Sequence, residues 1–389
     1  MRILQFLIFL FMTFSASVAL AESFQGTPSQ DENFRSDVFI KLTAQRYIDL
    51  EHQYAGFLES YTKGKISEEE LASKFTIFSN AHGLESRIDE WVKAYPKSYP
   101  AMLARGVLRI SLAWSRRSGK FAEEVTEEQR QEFSAGLKLA AADLLASTKL
   151  YAKPVESYRQ LIKVSMGLGL DADRGLLNEA LKLDPQAFYP RVEYQYSLTP
   201  KWGGSIPKME AFLKECQSSP LSAKNRAQIE VRHYTLLGEQ DKFDKNYRKA
   251  SDDYLKAYRH GNGEDPEPLY WSGQSAFDGS FYELALQRLD ELIEAHPKYE
   301  YGYTKRGYLY ESHFKNDKKA FNDYLSAAEL GDSWAQNRIG WWYLTGKYVA
   351  QDYILAELYL RRAAAKNNKN AITNLAYLDK LRKSTDSAR

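Results

Sequence analysis

The chain has 389 residues, a length that suits two domains or one elongated array, because a single hydrophobic core rarely grows beyond about 250–300 residues. Its 53 lysine and arginine residues nearly balance its 51 aspartate and glutamate residues, which argues against a dedicated nucleic-acid-binding protein. Tyrosine is abundant, with 27 copies, and its amphipathic ring suits both helix packing and recognition surfaces.

The N-terminus has the pattern of a secretory signal peptide. Arg2 precedes an apolar run over residues 3–12, and the small-residue site Ala19-Leu20-Ala21 follows it. We therefore predict a signal peptide over residues 1–21, cleaved between Ala21 and Glu22. A retained membrane anchor is the alternative, but the run is shorter than the ~20 apolar residues that span a bilayer.

Cysteine usage supports an exported protein without a lipid anchor. No cysteine stands directly after the predicted cleavage site, so we expect a periplasmic or secreted protein with no transmembrane segment in the mature chain. The single cysteine, Cys216, cannot form an intramolecular disulfide. It shares a helical stripe with Met209, Phe212 and Leu213, which predicts a buried thiol rather than a reactive one.

Helical signals dominate the chain, and no segment has the alternating pattern of a strand. Ser67 to Glu70 and Thr126 to Gln129 have the form of capping boxes, in which side chains satisfy free backbone donors at a helix start. Asp265-Pro266 likewise places an acceptor before a helix and a proline in its first turn.

We assign residues 22–230 to an irregular helical domain. Its most distinctive stretch is LTPKWGGS, Leu198 to Ser205. Together with AMLARGVLRISLAWSRRSG and EALKLDP, this P-x-W-G-G-S motif resembles a bacterial family described only as a domain of unknown function, from about Ser98 to Glu215. The resemblance implies a helical fold and a bacterial origin, and it implies no reaction.

The motif Trp202-Gly203-Gly204-Ser205 has two interpretations. Two glycines before a helix can expose backbone donors to an anion, with Lys201 nearby. However, the motif lacks a phosphate-binding pattern and no strand precedes it, which favours a structural turn held by Trp202.

Small residues recur at repeat spacing in the C-terminal part. Gly273 and Gly307 are 34 residues apart, and Gly340 follows after 33 more. Gly273 is also followed by Ala285 and Pro297, a pattern that resembles the tetratricopeptide repeat, a helix-turn-helix unit of ~34 residues. We assign residues 231–265 to a helix and linker, 266–380 to repeats and 381–389 to a tail.

The last repeats shift to a 36-residue period and resemble Sel1-like repeats. The matching positions are Ile339-Gly340, Tyr343, Gly346, Val349, Asp352, Ala356, Tyr359 and Ala363-Ala364. Close helix crossings explain Gly340 and Ala356, and a glycine-dependent turn explains Gly346.

These resemblances imply an all-α fold, a right-handed α-solenoid of helix-turn-helix hairpins. In such arrays the first helices of successive units line an extended groove. The predicted partner-binding residues on that face are Trp271, Gln274, Tyr301, Lys305, Tyr308, Trp334, Asn337, Arg338 and Trp341. The alternative is that these aromatic residues only pack between repeats.

The sequence contains no recognisable catalytic or metal-binding motif. None of its six histidines has metal-site spacing, so we expect no enzymatic activity, no metal and no cofactor. Basic residues near the C-terminus suit a solvated helix face, with contact to an acidic envelope surface as the alternative.

We expect a scaffold or adaptor in the cell envelope or a secretion pathway that binds a protein or peptide and no nucleic acid. The alternative function is a ligand-binding or enzymatic N-terminal domain with the repeats as its platform.

Overall fold

A computed structural model describes residues 28–117 and 125–387. These residues form nineteen α-helices and two short 3-10 helices and contain no strand, which confirms the all-α prediction. None of the described helices is long and apolar enough to cross a membrane. The predicted signal peptide lies outside the described residues.

The chain divides into two compact units between Ser222 and Ala223. The α-helices of the first unit are α1 (Pro28–Thr43), α2 (Tyr47–Thr62), α3 (Glu68–Thr76), α4 (Glu85–Ala94), α5 (Tyr99–Arg117), α6 (Glu127–Ser147), α7 (Val155–Leu168), α8 (Asp173–Leu183), α9 (Tyr189–Ser197) and α10 (Ile206–Gln217). The 3-10 helices are Ile77–Asn80 and Pro200–Trp202.

Capping side chains define several helix starts as the sequence predicted. Ser67 accepts from the backbone N–H of Glu70 at 3.0 Å, and Thr126 forms a complete capping box with Gln129. Asp265 accepts from a backbone N–H in the first turn of the helix that begins at Pro266. These contacts satisfy donors that a helix start otherwise leaves free.

Aromatic side chains build the core of the first unit. The rings of Tyr54, Phe78 and Trp91 are fully buried and lie 5.8–6.1 Å apart. Trp91 Nε1 donates to Glu51 at 2.7 Å, so the polar atom of this large side chain keeps a partner. Burial of these rings supplies much of the apolar stabilisation that a helical unit needs.

The second unit is a stack of helical hairpins. Its helices are α11 (Ala223–Phe243), α12 (Tyr247–His260), α13 (Pro266–Asp278), α14 (Tyr282–Ala295), α15 (Glu300–Ser312), α16 (Asp317–Leu330), α17 (Ser333–Thr345), α18 (Tyr353–Ala365) and α19 (Lys369–Ser387). Each helix packs against the next along the chain. We call α11, α13, α15, α17 and α19 the A helices and α12, α14, α16 and α18 the B helices.

Glycines mark the points where A and B helices cross, which confirms the predicted repeat. A Cβ atom at Gly307 would lie 2.8 Å from the Tyr324 ring, and one at Gly340 would lie 2.7 Å from Leu360. Ala356 is fully buried, and Gly346 has a φ of +66°, as its turn requires. At these two crossings the A and B helices therefore approach too closely for a larger side chain without movement of the neighbouring residue.

One arginine fixes three helices in the second unit. Arg306 donates to both carboxylate oxygens of Asp323 on α16, at 2.8 and 2.9 Å, and to Asp290 on α14 at 2.7 Å. Asp323 is buried, so the bidentate pair replaces the water that its carboxylate loses on folding.

The first unit repeats this arrangement. Arg105 on α5 donates to both oxygens of Asp143 on α6 and to Asp89 on α4. The flanking sequences also correspond, since IDEWVKAYPK at residues 88–97 matches LDELIEAHPK at residues 289–298. A repeat-like hairpin is thus present in the half of the chain that looked irregular.

The structure differs from the expected domain limits in two places. Residues 231–260 of the segment expected as a helix and linker belong to the hairpin of α11 and α12. This hairpin begins at Ala223, so the expected domain limit at residue 230 falls inside a helix. Residues 381–387, expected in a tail, continue α19.

Candidate binding surface

The predicted groove residues lie on three A helices, as the repeat register requires. They are Trp271 and Gln274 on α13; Tyr301, Lys305 and Tyr308 on α15; and Trp334, Asn337, Arg338 and Trp341 on α17. Their surroundings divide them into three groups and one set of solvent-exposed rings, and Tyr308 belongs both to the second group and to that set.

The first group surrounds Asp278, at the end of α13. Gln274 Nε2 donates to Asp278 Oδ1 at 2.6 Å, and Lys242 Nζ from α11 lies 3.7 Å from Asp278 Oδ2. The same ammonium group lies 4.6 Å from the centre of the Trp271 ring. Gln274 is buried and Trp271 is half-buried, so this group joins α11 to α13.

The second group centres on Lys305, whose ammonium group packs against aromatic rings. Lys305 Nζ lies 4.2 Å from the centre of the Phe277 ring and 5.5 Å from that of Tyr308. Burial lowers the pKa of Lys305 to about 8; Asp278 opposes this shift and Lys242 adds to it. A ligand that brings negative charge to this ammonium group would favour its protonated form.

Three aromatic residues of the predicted face are open to solvent. Tyr301, Tyr308 and Trp334 keep 48%, 40% and 38% of their surface exposed. One side of each ring is held by the protein, since Tyr301 packs against Tyr299 and Trp334 packs against Tyr324. Aromatic rings that are fixed on one side bury much area on binding and lose little entropy.

The third group packs within the protein. Asn337 accepts from Asn374 Nδ2 at 2.9 Å, and the Trp341 ring lies 6.3 Å from that of Tyr377, so both connect α17 to α19. Arg338 pairs with Glu311 of α15. Because Arg338 already has a carboxylate partner, it is less suited than Lys305 to hold a carboxylate of a binding partner. A binding role for these three residues stays a prediction.

Sequence reasoning missed Lys242 and Phe277. Lys242 lies in the segment interpreted as a helix and linker, although Gly238 stands about one repeat length before Gly273, and a Cβ atom there would lie 3.0 Å from the Tyr254 ring. That glycine was the available signal for an earlier repeat. Phe277 faces Lys305 from the neighbouring A helix, a contact that repeat spacing alone does not indicate.

The Trp-Gly-Gly-Ser motif forms a turn in which both glycines are sterically required. Gly203 has a φ of +83°, and a Cβ atom at Gly204 would lie 1.8 Å from the carbonyl oxygen of Leu198. The Trp202 ring packs at a right angle to Trp114, with 5.8 Å between centres. These contacts account for the motif as a structural turn.

Cys216 is buried, as predicted. Burial raises the pKa of its thiol to about 12, so the thiol stays protonated and unreactive at neutral pH. Within residues 28–117 and 125–387, no three His, Cys, Asp or Glu side chains come together in a way that could hold a metal ion.

Several of the C-terminal basic residues have acidic partners. Arg361 and Arg382 both pair with Glu357, and Arg362 pairs with Glu329. These contacts favour a solvated helix face over a basic patch for an acidic envelope surface.

A family model described as "Domain of unknown function (DUF4034)" matches residues 170–234. This span contains LTPKWGGS and extends beyond Glu215, whereas the resemblance drawn from the sequence began near Ser98. The match covers a minor part of the chain, and its description names no reaction. No curated protein matches the chain.

Several solved structures of repeat proteins are similar to the chain at low identity. YrrB, a TPR protein described with an unusual peptide-binding site, is 16% identical, with a TM-score of 0.31 over 51% of this chain and 97% of that one. A Sel1 repeat protein from Oxalobacter formigenes is 15% identical, with a TM-score of 0.36 over 88% and 93%. The uropathogenic Escherichia coli antigen c5321, with an SLR fold, is 17% identical, with a TM-score of 0.36 over 89% and 82%. The repeat architecture of this chain rests on its own helix pairing.

Proposed function

We propose that this chain is an exported, non-catalytic interaction module that serves as a scaffold or adaptor in the bacterial cell envelope or a secretion pathway. A protein or peptide partner binds the second unit on the surface that includes Tyr301, Lys305, Tyr308 and Trp334, which we call the A-helix face. The observation that carries this proposal is the exposure of Tyr301, Tyr308 and Trp334 on consecutive A helices. In stacked hairpins such side chains form one extended surface.

Charge on the same face favours an acidic group in the partner. The ammonium groups of Lys242 and Lys305 both lie near the carboxylate of Asp278, and the carboxylate of Glu239 also acts on Lys242. An acidic side chain or a chain-terminal carboxylate of the partner would bring negative charge to Lys305, while apolar side chains of the partner would cover the neighbouring rings.

The alternative of an enzymatic or ligand-binding first unit requires polar groups around Trp202. The rings of Trp114 and Tyr196 pack there. We therefore do not propose an activity for this turn.

Export rests on the signal-peptide pattern of residues 1–21. We expect protein recovered from the bacterium that produces it to begin at Glu22, with an intact mass that lacks both the first 21 residues and any acyl chain. A mass that includes Met1, or a lipid-modified mass, would contradict export by this route.

Capture from envelope extract tests the binding surface. We expect the double variant Tyr301→Ala with Tyr308→Ala to lose the proteins captured by the parent, by on the order of tenfold, with an unchanged helical circular dichroism spectrum. Leu358→Ala, which alters an exposed side chain of the B helix α18, is the matched control and should capture normally. Equal capture by all three proteins would remove the A-helix face as the binding surface.

A further inference from the structure

The turns that connect A helices to B helices lie along one edge of the second unit. They comprise residues 243–249, 279–283, 313–319 and 346–354, which we call the turn edge. The first three of these turns touch in succession. Arg248 lies 5.8 Å from the centre of the Phe281 ring, and the rings of Tyr282 and His313 stack at 3.7 Å. These three turns therefore form a continuous row, and the fourth follows them along the chain.

Charge is distributed unequally between the two edges of this unit. The turn edge has seven cationic side chains, Lys245, Arg248, Lys249, Lys315, Lys318, Lys319 and Lys347, and four acidic ones, Asp244, Glu283, Asp317 and Asp352. The opposite edge, residues 260–266, 295–300, 330–333 and 365–369, has three cationic side chains, Lys298, Lys366 and Lys369, and four acidic ones, Glu264, Asp265, Glu300 and Asp332. The turn edge thus has a positive excess, although Lys249 pairs with Asp241 of α11 at 3.1 Å. The whole chain is nearly neutral.

Exposed apolar side chains stand on the same edge. Phe243 and Ile354, which are 76% and 77% exposed, are the two most exposed large apolar side chains among the described residues. Phe281, between them in the row, is 37% exposed. Beside Phe281 a cleft of about 570 Å³ opens between the turns and is lined by Lys245, Arg248 and Lys249.

We propose that the turn edge docks on the surface of an anionic phospholipid bilayer. Lipid phosphates attract the exposed lysine and arginine side chains, while Phe243, Phe281 and Ile354 enter the boundary between headgroups and acyl chains. A bilayer fits better than an acidic protein because the apolar side chains stand at three separate turns, and a broad interface can contact all three together. Phe243 ends α11, Phe281 lies in a turn and Ile354 lies in the first turn of α18. This site is separate from the A-helix face, so either proposal can fail without the other.

Sedimentation with vesicles tests this proposal on the chain that begins at Glu22. We expect the protein to pellet with vesicles of phosphatidylcholine mixed with phosphatidylglycerol, and not with phosphatidylcholine alone. Binding should weaken as salt rises, since salt screens exposed charges. Absence of binding to the anionic vesicles, or equal binding to both kinds, would overturn the proposal.

Variants locate the contact. Arg248→Gln with Lys318→Gln, and separately Phe243→Ser, should each reduce vesicle binding, the first by on the order of tenfold. Lys298→Gln with Lys369→Gln removes the same charge from the opposite edge and should leave binding unchanged. All five substituted side chains are exposed, so we expect each variant to keep the circular dichroism spectrum of the folded protein. If the control pair loses as much vesicle binding as Arg248→Gln with Lys318→Gln, the contact does not lie on the turn edge. If the protein binds polyglutamate but not vesicles, the turn edge binds an acidic protein instead of a bilayer.

Discussion

Arg306 connects three helices of the second unit through a fork of hydrogen bonds. Its guanidinium group is 20% exposed and the Asp323 carboxylate only 8%, so this ion pair differs from the solvated pairs elsewhere on the surface. Burial raises the pKa of Asp323, and the hydrogen bonds from Arg306 oppose that shift. The hydrogen bonds of Arg306 therefore fix the position of α15 relative to α14 and α16, in addition to the electrostatic attraction of the ion pair.

Replacing Arg306 by methionine should destabilise the second unit by about 2 kcal/mol, because the buried carboxylate of Asp323 loses its bidentate partner. Denaturation in urea measures this change. Arg361→Met is the matched control, since Arg361 is 69% exposed and its pair with Glu357 should contribute no more than about 0.5 kcal/mol. Similar losses of stability in the two variants would show that the buried Arg306 pair contributes no more to the free energy of unfolding than an exposed pair.

Glu68 holds the start of α9 in the first unit. Its two carboxylate oxygens accept from the backbone N–H groups of Phe188 at 2.7 Å and Tyr189 at 3.0 Å. Burial nevertheless raises the pKa of Glu68 from 4.5 to about 7. The folded state therefore binds the proton more tightly, and this contribution to stability is present below about pH 4.5 and lost as pH rises through about 7.

Glu68→Gln leaves one of these N–H groups facing an amide NH2, so we expect a loss of ~1–2 kcal/mol at about pH 5. The difference from the parent should shrink at about pH 8, where the parent has lost the contribution of Glu68. Urea denaturation at the two pH values measures both quantities. A difference that stays the same at the two pH values would mean that the carboxylate is ionised throughout this range and that its pKa is not raised.

At the scale of helices, the repeat could be predicted where small side chains are sterically required. Gly307 and Gly340 face Tyr324 and Leu360 at distances that exclude a Cβ atom without movement, so their spacing records the helix crossings directly. The spacing of these glycines predicts the crossings because a larger residue at either position would require its neighbour to move.

For the hairpin of α11 and α12, the sequence marks the helix crossing at Gly238 but not the turn. Its turn places Lys245 at a φ of +62°, so no glycine marks the bend, whereas Gly261 and Gly263 after α12 gave the appearance of a linker. Ser280 and Lys315 adopt the same left-handed conformation in later turns. These turns are fixed by the packing of the helices they join, which local sequence does not reveal.

Gly340→Leu should lower the stability of the second unit by ~1–3 kcal/mol, because the new side chain overpacks the crossing with Leu360. Gly56→Leu is the control: Gly56 is also helical, a Cβ atom there meets nothing within 4 Å, and the change should be neutral or stabilising by up to ~1 kcal/mol. Hydrogen exchange should accelerate first in residues 300–376, around the altered crossing. A Gly340→Leu protein as stable as its parent would contradict the close crossing.

At the scale of the whole molecule, both units are helical, and the Arg105 and Arg306 forks show that a common hairpin arrangement occurs in each. The binding face was predictable only in part. Repeat spacing placed Trp271, Lys305 and Tyr308 on A helices, but it did not show that Arg338 is paired with Glu311, a residue 27 positions away. Contacts between residues so far apart in sequence depend on how the hairpins stack, so residue spacing in a single sequence does not predict them.

The central claim is that the A-helix face of the second unit contacts a protein or peptide partner. Photocrosslinking in the producing bacterium tests it most directly, with p-benzoylphenylalanine introduced at position 308 in place of Tyr308 and, as the control, at position 358 in place of Leu358. We expect a discrete adduct from position 308, weakened by Lys305→Met, and none from position 358. No adduct at position 308, or equal adducts at both positions, would contradict the claim.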